Sequence, residues 1–166
     1  MKIFKKKRAI DYIIYSSVIL GIIALDLITK FLSYTRLSRV DTIPIIDGVI
    51  HFTYVENRGA AFGMLANHRW VFISISIVVI SAFLLYLFLG HAENMLMGIA
   101  MSMISAGGLG NMVDRLSLGF VVDFIDFRLI NFAVFNVADS FVCIGAGLMI
   151  LYLVLEIIKE GKKNAA

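Results

Sequence analysis

The chain has 166 residues, a formal net charge of +3 and a hydrophobic fraction of 60%, whereas soluble domains are roughly 45–50% apolar. This excess argues against a water-soluble domain. With 16% charged residues and one proline, the composition also argues against disorder, which requires weak hydrophobicity and high net charge.

Four apolar stretches are long enough to cross a bilayer core, which takes about 20 residues. They run from about 12 to 34, from 70 to 90, from 95 to 113 and from 135 to 158. The first follows basic residues, as a signal peptide does, but it is too long and carries Asp26 and Lys30 instead of a small-residue cleavage site. We therefore predict a single membrane-embedded α-helical domain with four transmembrane helices, the first of them retained.

Basic residues at the chain ends predict the orientation. Residues 1–8 carry five basic side chains, and the other end carries Lys159, Lys162 and Lys163. An even number of spans places both termini on one side, and the positive-inside rule places that side in the cytoplasm. The segments 35–69 and 114–134 then face outward.

The first outer segment contains turn and strand signals. Residues 42–55 are β-prone runs interrupted by Asp47 and Gly48, a pair that predicts a hairpin. Residues 59–65 are small and apolar with glycine near both ends. They are typical of a short mobile element lying on the membrane surface.

Charged residues near hydrocarbon are costly, so those that persist are usually paired or functional. Asp26 and Lys30 lie four residues apart on the first helix, which stacks opposite charges on one face. A structural ion pair is one interpretation, with Lys30 also reaching toward the interface. A role in shaping an active site is the other.

A glycine-rich run, residues 107–111, precedes Asp114 and Arg115 at the outer end of the third span. The glycines allow another backbone to approach closely. Arg115 is interpreted either as an interfacial anchor or as a group that holds a carbonyl or a lipid headgroup by charge-assisted hydrogen bonds. The chemistry alone favours neither.

Three more acids lie around the second outer segment. Asp123 and Asp126 belong to an alternating stretch that predicts extended structure, and they compete for any functional role. Asp139 follows Asn136, a plausible N-cap, so the helix dipole would favour an acid there without any catalysis. For Asp123 and Asp126, the default interpretation is a solvated carboxylate in a loop.

Two of these carboxylates could support peptide hydrolysis. Held close together they share a proton, so the ionised one activates water while the protonated one polarises a carbonyl. This route needs no metal and no cofactor. The chain has no Gly-x-Ser-x-Gly elbow, its three histidines show no ligand spacing, and Cys143 is expected to be an inert packing thiol. The residues alone do not select the pair.

Three other classes of protein compete with an aspartyl peptidase of this kind. A small transporter would spread its charges through the membrane depth, whereas most of these cluster at one end. A prepilin-peptidase relative would carry Gly-x-Gly-Asp, where residues 108–111 read Gly-Leu-Gly-Asn. A non-enzymatic lipid-binding or chaperone protein is the third alternative.

Five stretches together resemble the lipoprotein signal peptidase (signal peptidase II) family. In chain order they are Asp-Leu-Ile-Thr-Lys at 26–30, Asn-Arg-Gly-Ala-Ala-Phe-Gly at 57–63, Gly-Gly-Leu-Gly-Asn-Met-Val-Asp-Arg at 107–115, Val-Val-Asp-Phe at 121–124 and Phe-Asn-Val-Ala-Asp-Ser at 135–140. Each is weak alone, but five in order on four spans are specific. Leu27 is one departure, since the family often has glutamine there.

The resemblance implies an aspartic endopeptidase that removes signal peptides from prolipoproteins by cutting before a diacylglyceryl-modified cysteine. It implies that Asp123 and Asp139 are the catalytic pair. The remaining site residues that it implies are Asn57, Gly59, Asn111, Arg115 and Asn136 for substrate binding, and Asp26, Lys30 and Asp114 for structural support.

The resemblance also implies an architecture and a setting. The four-helix bundle would carry a small outer β-cradle and a short mobile helix, both within residues 36–69. The protein would lie in a bacterial inner (cytoplasmic) membrane, with its active site near the outer face. Its partners would be lipidated prolipoproteins, membrane lipids and globomycin-type inhibitors, with no nucleic acid.

Overall fold

The computed structural model describes residues 9–59 and 68–164. Four long helices and three strands make up this part of the chain. In chain order they are α1 (Ala9–Thr35), β1 (Thr42–Ile46), β2 (Ile50–Asn57), α2 (Arg69–Phe88), α3 (Met95–Ser117), β3 (Val121–Phe127) and α4 (Val137–Asn164). All four helices are long and apolar enough to span a membrane, so the predicted multi-pass architecture is confirmed.

Helix α3 is the centre of the bundle. Half of its most apolar stretch is buried, against 22%, 17% and 11% for α1, α2 and α4. Its glycines permit this position, because a side chain at Gly107 would strike the backbone carbonyl of Ala138 on α4, and one at Gly98 would strike the ring of Tyr15 on α1. Close backbone approach through small residues is how helices associate in lipid.

The helix boundaries agree with the predicted spans to within a few residues. The main differences are at the ends of α3 and α4. Helix α3 continues to Ser117 rather than ending near residue 113, so Asp114 and Arg115 lie in its last turns. Helix α4 begins at Val137, directly after Asn136, and continues to Asn164.

The three strands form one antiparallel sheet in the order β1-β2-β3. The predicted hairpin between β1 and β2 is confirmed, and Gly48 takes a positive φ of 69° in its turn, a conformation that glycine adopts without steric cost. The predicted extended segment is also confirmed as β3. Because β3 comes from the second outer segment, the cradle is larger than residues 36–69.

The predicted surface helix at residues 59–65 lies, apart from Gly59, outside the described residues. Strand β3 is the part of the sheet that meets the bundle. The side chains of Val121, Val122 and Asp123 are nearly fully buried. The Asp114 carboxylate at the end of α3 accepts a hydrogen bond from the backbone N–H of Val122 at 3.1 Å, which attaches the sheet to the helix ends.

Candidate active site

Asp123 and Asp139 line one cavity at the junction of the sheet and the helix ends. The cavity has a volume of about 540 Å³. Strand β3 carries Asp123, which is 1% exposed, and the first turn of α4 carries Asp139, which is half-buried. The fold therefore brings to one cavity the two acids that the family resemblance selects.

The start of α4 fixes the position of Asp139. The side-chain oxygen of Asn136 accepts from the backbone N–H of Asp139 at 2.9 Å, and the Asp139 carboxylate accepts from the backbone N–H of Asn136 at 3.2 Å. This reciprocal pair is a capping box, in which both side chains satisfy free backbone donors. Asn136 is thus the N-cap, as predicted from sequence.

Two amides hold the Asp123 carboxylate. Asn136 donates to Oδ1 at 2.7 Å from its side chain, and Asn57 of β2 donates to Oδ2 at 2.8 Å. Burial and the nearby charge of Asp139 raise the pKa of Asp123 to about 7, although the two amides and Lys30 favour its ionised form. A carboxyl group with this pKa is available in its protonated form near neutral pH.

Asn111 of α3 connects Asp139 to the interior of the bundle. Its amide donates to Asp139 Oδ1 at 2.7 Å. Its oxygen accepts from the Lys30 ammonium at 2.8 Å and from the Asn136 amide at 3.1 Å. Because the oxygen faces two donors, the amide group is left facing Asp139.

A buried charge cluster lies behind Asn111. The Lys30 ammonium is 2.8 Å from the Asp26 carboxylate and 3.2 Å from the Asp114 carboxylate, and all three side chains are nearly inaccessible. Asp26 also accepts from the backbone N–H of Ala138 at 2.9 Å, in the first turn of α4. Buried charges are tolerated only when paired and hydrogen-bonded. The predicted ion pair of Asp26 and Lys30 is confirmed, and Lys30 also contacts Asn111, which lines the cavity.

Arg115 lies on another wall of the cavity. Its guanidinium donates to the backbone carbonyl of Gly59 at 3.1 Å and lies 4.9 Å from the centre of the Phe72 ring. A cation over an aromatic face is stabilised by the ring quadrupole. Arg115 thereby ties the end of β2 to α2 and α3 while still facing the cavity.

Asp126, the competitor of Asp123, lies elsewhere. Residues three apart on a strand point to opposite faces, and Asp126 accepts hydrogen bonds from Thr53 at 2.7 Å and Arg128 at 2.9 Å. Burial opposes its ionisation, but these bonds and the Arg128 charge outweigh that effect and lower the pKa of Asp126. These two bonds hold Asp126 beside Thr53 and Arg128, and it does not line the cavity.

The rest of the cavity wall is mostly apolar, and sequence reasoning missed much of it. Phe72 and the segment 132–135, between β3 and α4, line it. The run Phe-Ala-Val-Phe in that segment was the available signal. Ser140 and Cys143 continue the wall along α4.

The expectation that Cys143 is a packing thiol is wrong, because it is exposed. Hydropathy does not separate cavity-facing from packed positions on a transmembrane helix.

Within residues 9–59 and 68–164, no three His, Cys, Asp or Glu side chains are grouped in a way that could hold a metal ion. Among the predicted substrate-binding residues, Asn57, Asn111 and Arg115 line the cavity. Asn136 is fully buried, with its amide directed at Asp123. Gly59 is buried beside Arg115.

Comparison with known proteins gives a consistent result. The family model described as Signal peptidase (SPase) II matches residues 18–155. A lipoprotein signal peptidase of Halothermothrix orenii is 47% identical over 136 residues, covering 82% of this chain and 92% of that protein. One of Clostridioides difficile is 43% identical over 140 residues, covering 84% and 94%. A solved bacterial membrane enzyme superposes with a TM-score of 0.80 at 33% identity, covering 86% and 88%.

Proposed function

Because the chain belongs to the signal peptidase II family, we propose that it is the aspartic endopeptidase that removes signal peptides from prolipoproteins by cutting before a diacylglyceryl-modified cysteine. The transporter and non-enzymatic alternatives do not account for this membership. The observation that carries the reaction is the placement of two carboxylates, each in a different hydrogen-bond environment, on one largely apolar cavity.

The two environments suggest two roles. Asp139 lies in the first turn of a helix, where it accepts hydrogen bonds from the Asn111 amide and the Asn136 backbone N–H. The raised pKa of Asp123 favours its acid form. We assign Asp139 as the base and Asp123 as the acid, the division of labour expected when environments separate two carboxyl groups.

The reaction then needs only water and the two acids. Asp139 takes a proton from the water molecule while the water oxygen bonds to the scissile carbonyl carbon. Asp123 gives its proton to the carbonyl oxygen. The resulting diol collapses when Asp139 returns its proton to the departing nitrogen and Asp123 recovers a proton from a hydroxyl group. The C–N bond breaks, and both acids regain their starting states.

The remaining site residues receive proposed roles from their contacts. Asn111 and Arg115 line the cavity with donors, so they can hold backbone carbonyls of the substrate. Asn57 lines the same cavity and orients Asp123. We refine the prediction for Asn136: since it is fully buried, it positions the carboxylates rather than touching substrate.

The proposed setting follows the charge distribution. Lys162 and Lys163 end α4, at the end of that helix opposite Asp139. The positive-inside rule puts this end in the cytoplasm of a bacterial inner membrane, with the active site near the outer face. There the lipid chains of a prolipoprotein, or a globomycin-type inhibitor, would reach the apolar cavity from the bilayer.

The decisive experiment is incubation of the purified protein with a diacylated prolipoprotein, comparing wild type with Asp139→Asn and Asp123→Asn. We expect cleavage before the lipidated cysteine by wild type alone, and no loss of activity on adding a metal chelator. Full activity in either variant would disprove the assigned pair. Failure of wild type to cut any lipidated precursor would disprove the function.

A further inference from the structure

A second cavity, of about 470 Å³, lies between α1 and α3 and shares no lining residue with the first. We call it the α1–α3 groove, and its apolar walls are Leu27, Phe31, Tyr34, Val113 and Leu118. Four of these five side chains are between 37% and 45% exposed, and Phe31 is 65% exposed. On a membrane-spanning helix pair, such a groove opens to lipid rather than to water.

The segment 36–39, which follows the groove residue Thr35 in the chain, carries two cations, and we call it the rim. Arg36 comes directly after Thr35, and Arg39 ends the short 3-10 helix that begins at Leu37. Both are exposed, and within the described parts of the chain neither guanidinium has an ion-pair or hydrogen-bond partner. Asp41, the next acid along the chain, does not pair with either of them there. The rim therefore carries two uncompensated positive charges just after the groove residues of α1 in the chain.

This combination has the chemistry of one kind of ligand. An apolar slot holds an acyl chain, and paired guanidinium groups bind phosphate by bidentate, charge-assisted hydrogen bonds. Arginines at this end of α1 also run against the bias that places basic residues at the opposite membrane face. Leu27, where the family pattern often has glutamine, keeps the slot apolar.

We propose that the α1–α3 groove binds an anionic membrane phospholipid, with one acyl chain between α1 and α3 and the phosphate group on Arg36 and Arg39. The floor of the groove includes Lys30 and Asp114, members of the buried charge cluster that orients Asn111. A bound acyl chain would therefore cover this ion pair on the side away from the catalytic cavity.

The test uses the full-length protein in nanodiscs and needs no substrate, so its outcome is independent of the proposed cleavage reaction. A phosphatidylglycerol with a photoactivatable acyl chain is compared with the matching phosphatidylcholine, and crosslinked residues are mapped by mass spectrometry. The variant is Arg36→Gln/Arg39→Gln. The control, Lys162→Gln/Lys163→Gln, removes the same charge from the far end of α4.

We expect the phosphatidylglycerol probe to label α1 and α3 at the groove up to roughly 25-fold more than the phosphatidylcholine probe. Each arginine should contribute roughly fivefold, the equivalent of about 1 kcal/mol for a basic residue near anionic lipid. The arginine variant should lose the preference, and the lysine control should keep it. Equal labelling by both probes, labelling spread evenly around the bundle, or an unchanged preference in the arginine variant would overturn the proposal.

A Leu27→Gln variant examines the acyl-chain half of the site separately. A polar side chain in the slot should lower labelling at the groove while leaving the two arginines intact. Unchanged labelling in this variant would show that the lipid is held at the rim alone and that the proposed chain position is wrong.

Discussion

The Lys30 ammonium donates to the side-chain oxygen of Asn111 at 2.8 Å, and the amide of Asn111 in turn donates to Asp139 at 2.7 Å. An amide side chain has one accepting and one donating end. The cation on one side therefore determines which end of Asn111 the active-site carboxylate meets. A residue buried in α1 in this way orients a group on α3 that contacts an acid on α4.

Replacement of this cation tests the relationship. We expect Lys30→Met to leave Asp26 and Asp114 buried without their counter-charge, a change that costs about 3–5 kcal/mol, and to lower cleavage by releasing Asn111. Thermal unfolding in detergent measures the first effect. Lys159→Met is the control, since Lys159 pairs with Glu156 at an exposed site, where a pair contributes about 0–1 kcal/mol. Equal melting temperatures for Lys30→Met and wild type would contradict the expectation.

The two acids of β3 should respond differently to the same substitution. Asp126→Asn weakens contacts to Thr53 and Arg128 within the cradle but leaves the cavity unchanged. We expect it to retain substantial cleavage activity, whereas Asp123→Asn retains none. Initial rates with a lipidated precursor make the comparison. If Asp126→Asn lost cleavage activity as completely as Asp123→Asn, the proposal that only the Asp123 face of β3 takes part in catalysis would be wrong.

The pH dependence of cleavage should reflect the raised pKa of Asp123. With that pKa at about 7, the proposed acid loses its proton as the pH rises through neutrality. We expect kcat to fall on the alkaline side of about pH 7. Because the folded state holds this proton more tightly than the unfolded chain, Asp123 also lowers stability as the pH rises from its usual pKa near 3.8 toward 7. A rate that stays constant up to pH 9 would refute the assignment.

Asn136 can be tested as a positioning residue because serine keeps its capping role. Asn136→Ser preserves an N-cap oxygen but removes the amide that donates to Asp123. Loss of a hydrogen bond to a charged group costs about 1.5–3 kcal/mol, so we expect kcat to fall roughly 10- to 150-fold and the alkaline limb to move to higher pH.

The matched control for this variant is Asn94→Ser. Asn94 is the N-cap of α3, where its oxygen accepts from Met97, and it lies at the opposite end of that helix from Asn111. The Asn94→Ser substitution should leave both kcat and the pH profile of cleavage unchanged. A rise in KM alone for Asn136→Ser would instead favour direct contact with the substrate, as the family resemblance first implied.

The wall of the cavity offers a test of substrate fit. Cys143 lies one helical turn below Asp139 and lines the cavity, whereas its neighbour Ile144 is half exposed and does not line it. We expect Cys143→Trp to raise KM for a lipidated precursor by filling part of the cavity, and Ile144→Trp to behave like wild type. Identical kinetic constants for the two variants would show that the substrate does not use this wall.

The sequence predicted the spans and the hairpin because hydropathy and turn chemistry are local. The information that distinguishes Asp123 from Asp126 is not contained in the local sequence. Their odd spacing on a strand puts them on opposite faces, but only the packing of β3 against the helix ends places Asp123 at the cavity. That packing depends on Asp114 binding Val122 and on the pairing of β3 with β2.

The contacts around Lys30 were also beyond sequence reasoning. The spacing of Asp26 and Lys30 predicted their ion pair, which is an intrahelical feature. The links to Asn111 and Ala138 join positions 81 and 112 residues apart in the chain, and no local pattern encodes such separations. Cys143 illustrates the same limit, because an apolar run looks alike whether it faces lipid, protein or a cavity.

The hydrogen bond from the Ala138 amide to Asp26 has a consequence for biosynthesis. Helix α1 enters the membrane first and α4 last, so Lys30 gains Asp114 and Asn111 when α3 is inserted, before Asp26 gains the backbone N–H of Ala138. Asp26 lacks this hydrogen-bond donor during the interval, and an incompletely satisfied charge in lipid is costly. Arrival of α4 supplies the missing backbone donor and brings Asp139 beside Asn111 in the same step. Under the proposed assignment of Asp123 and Asp139, the contacts of the catalytic pair are therefore completed only when α4 has been inserted.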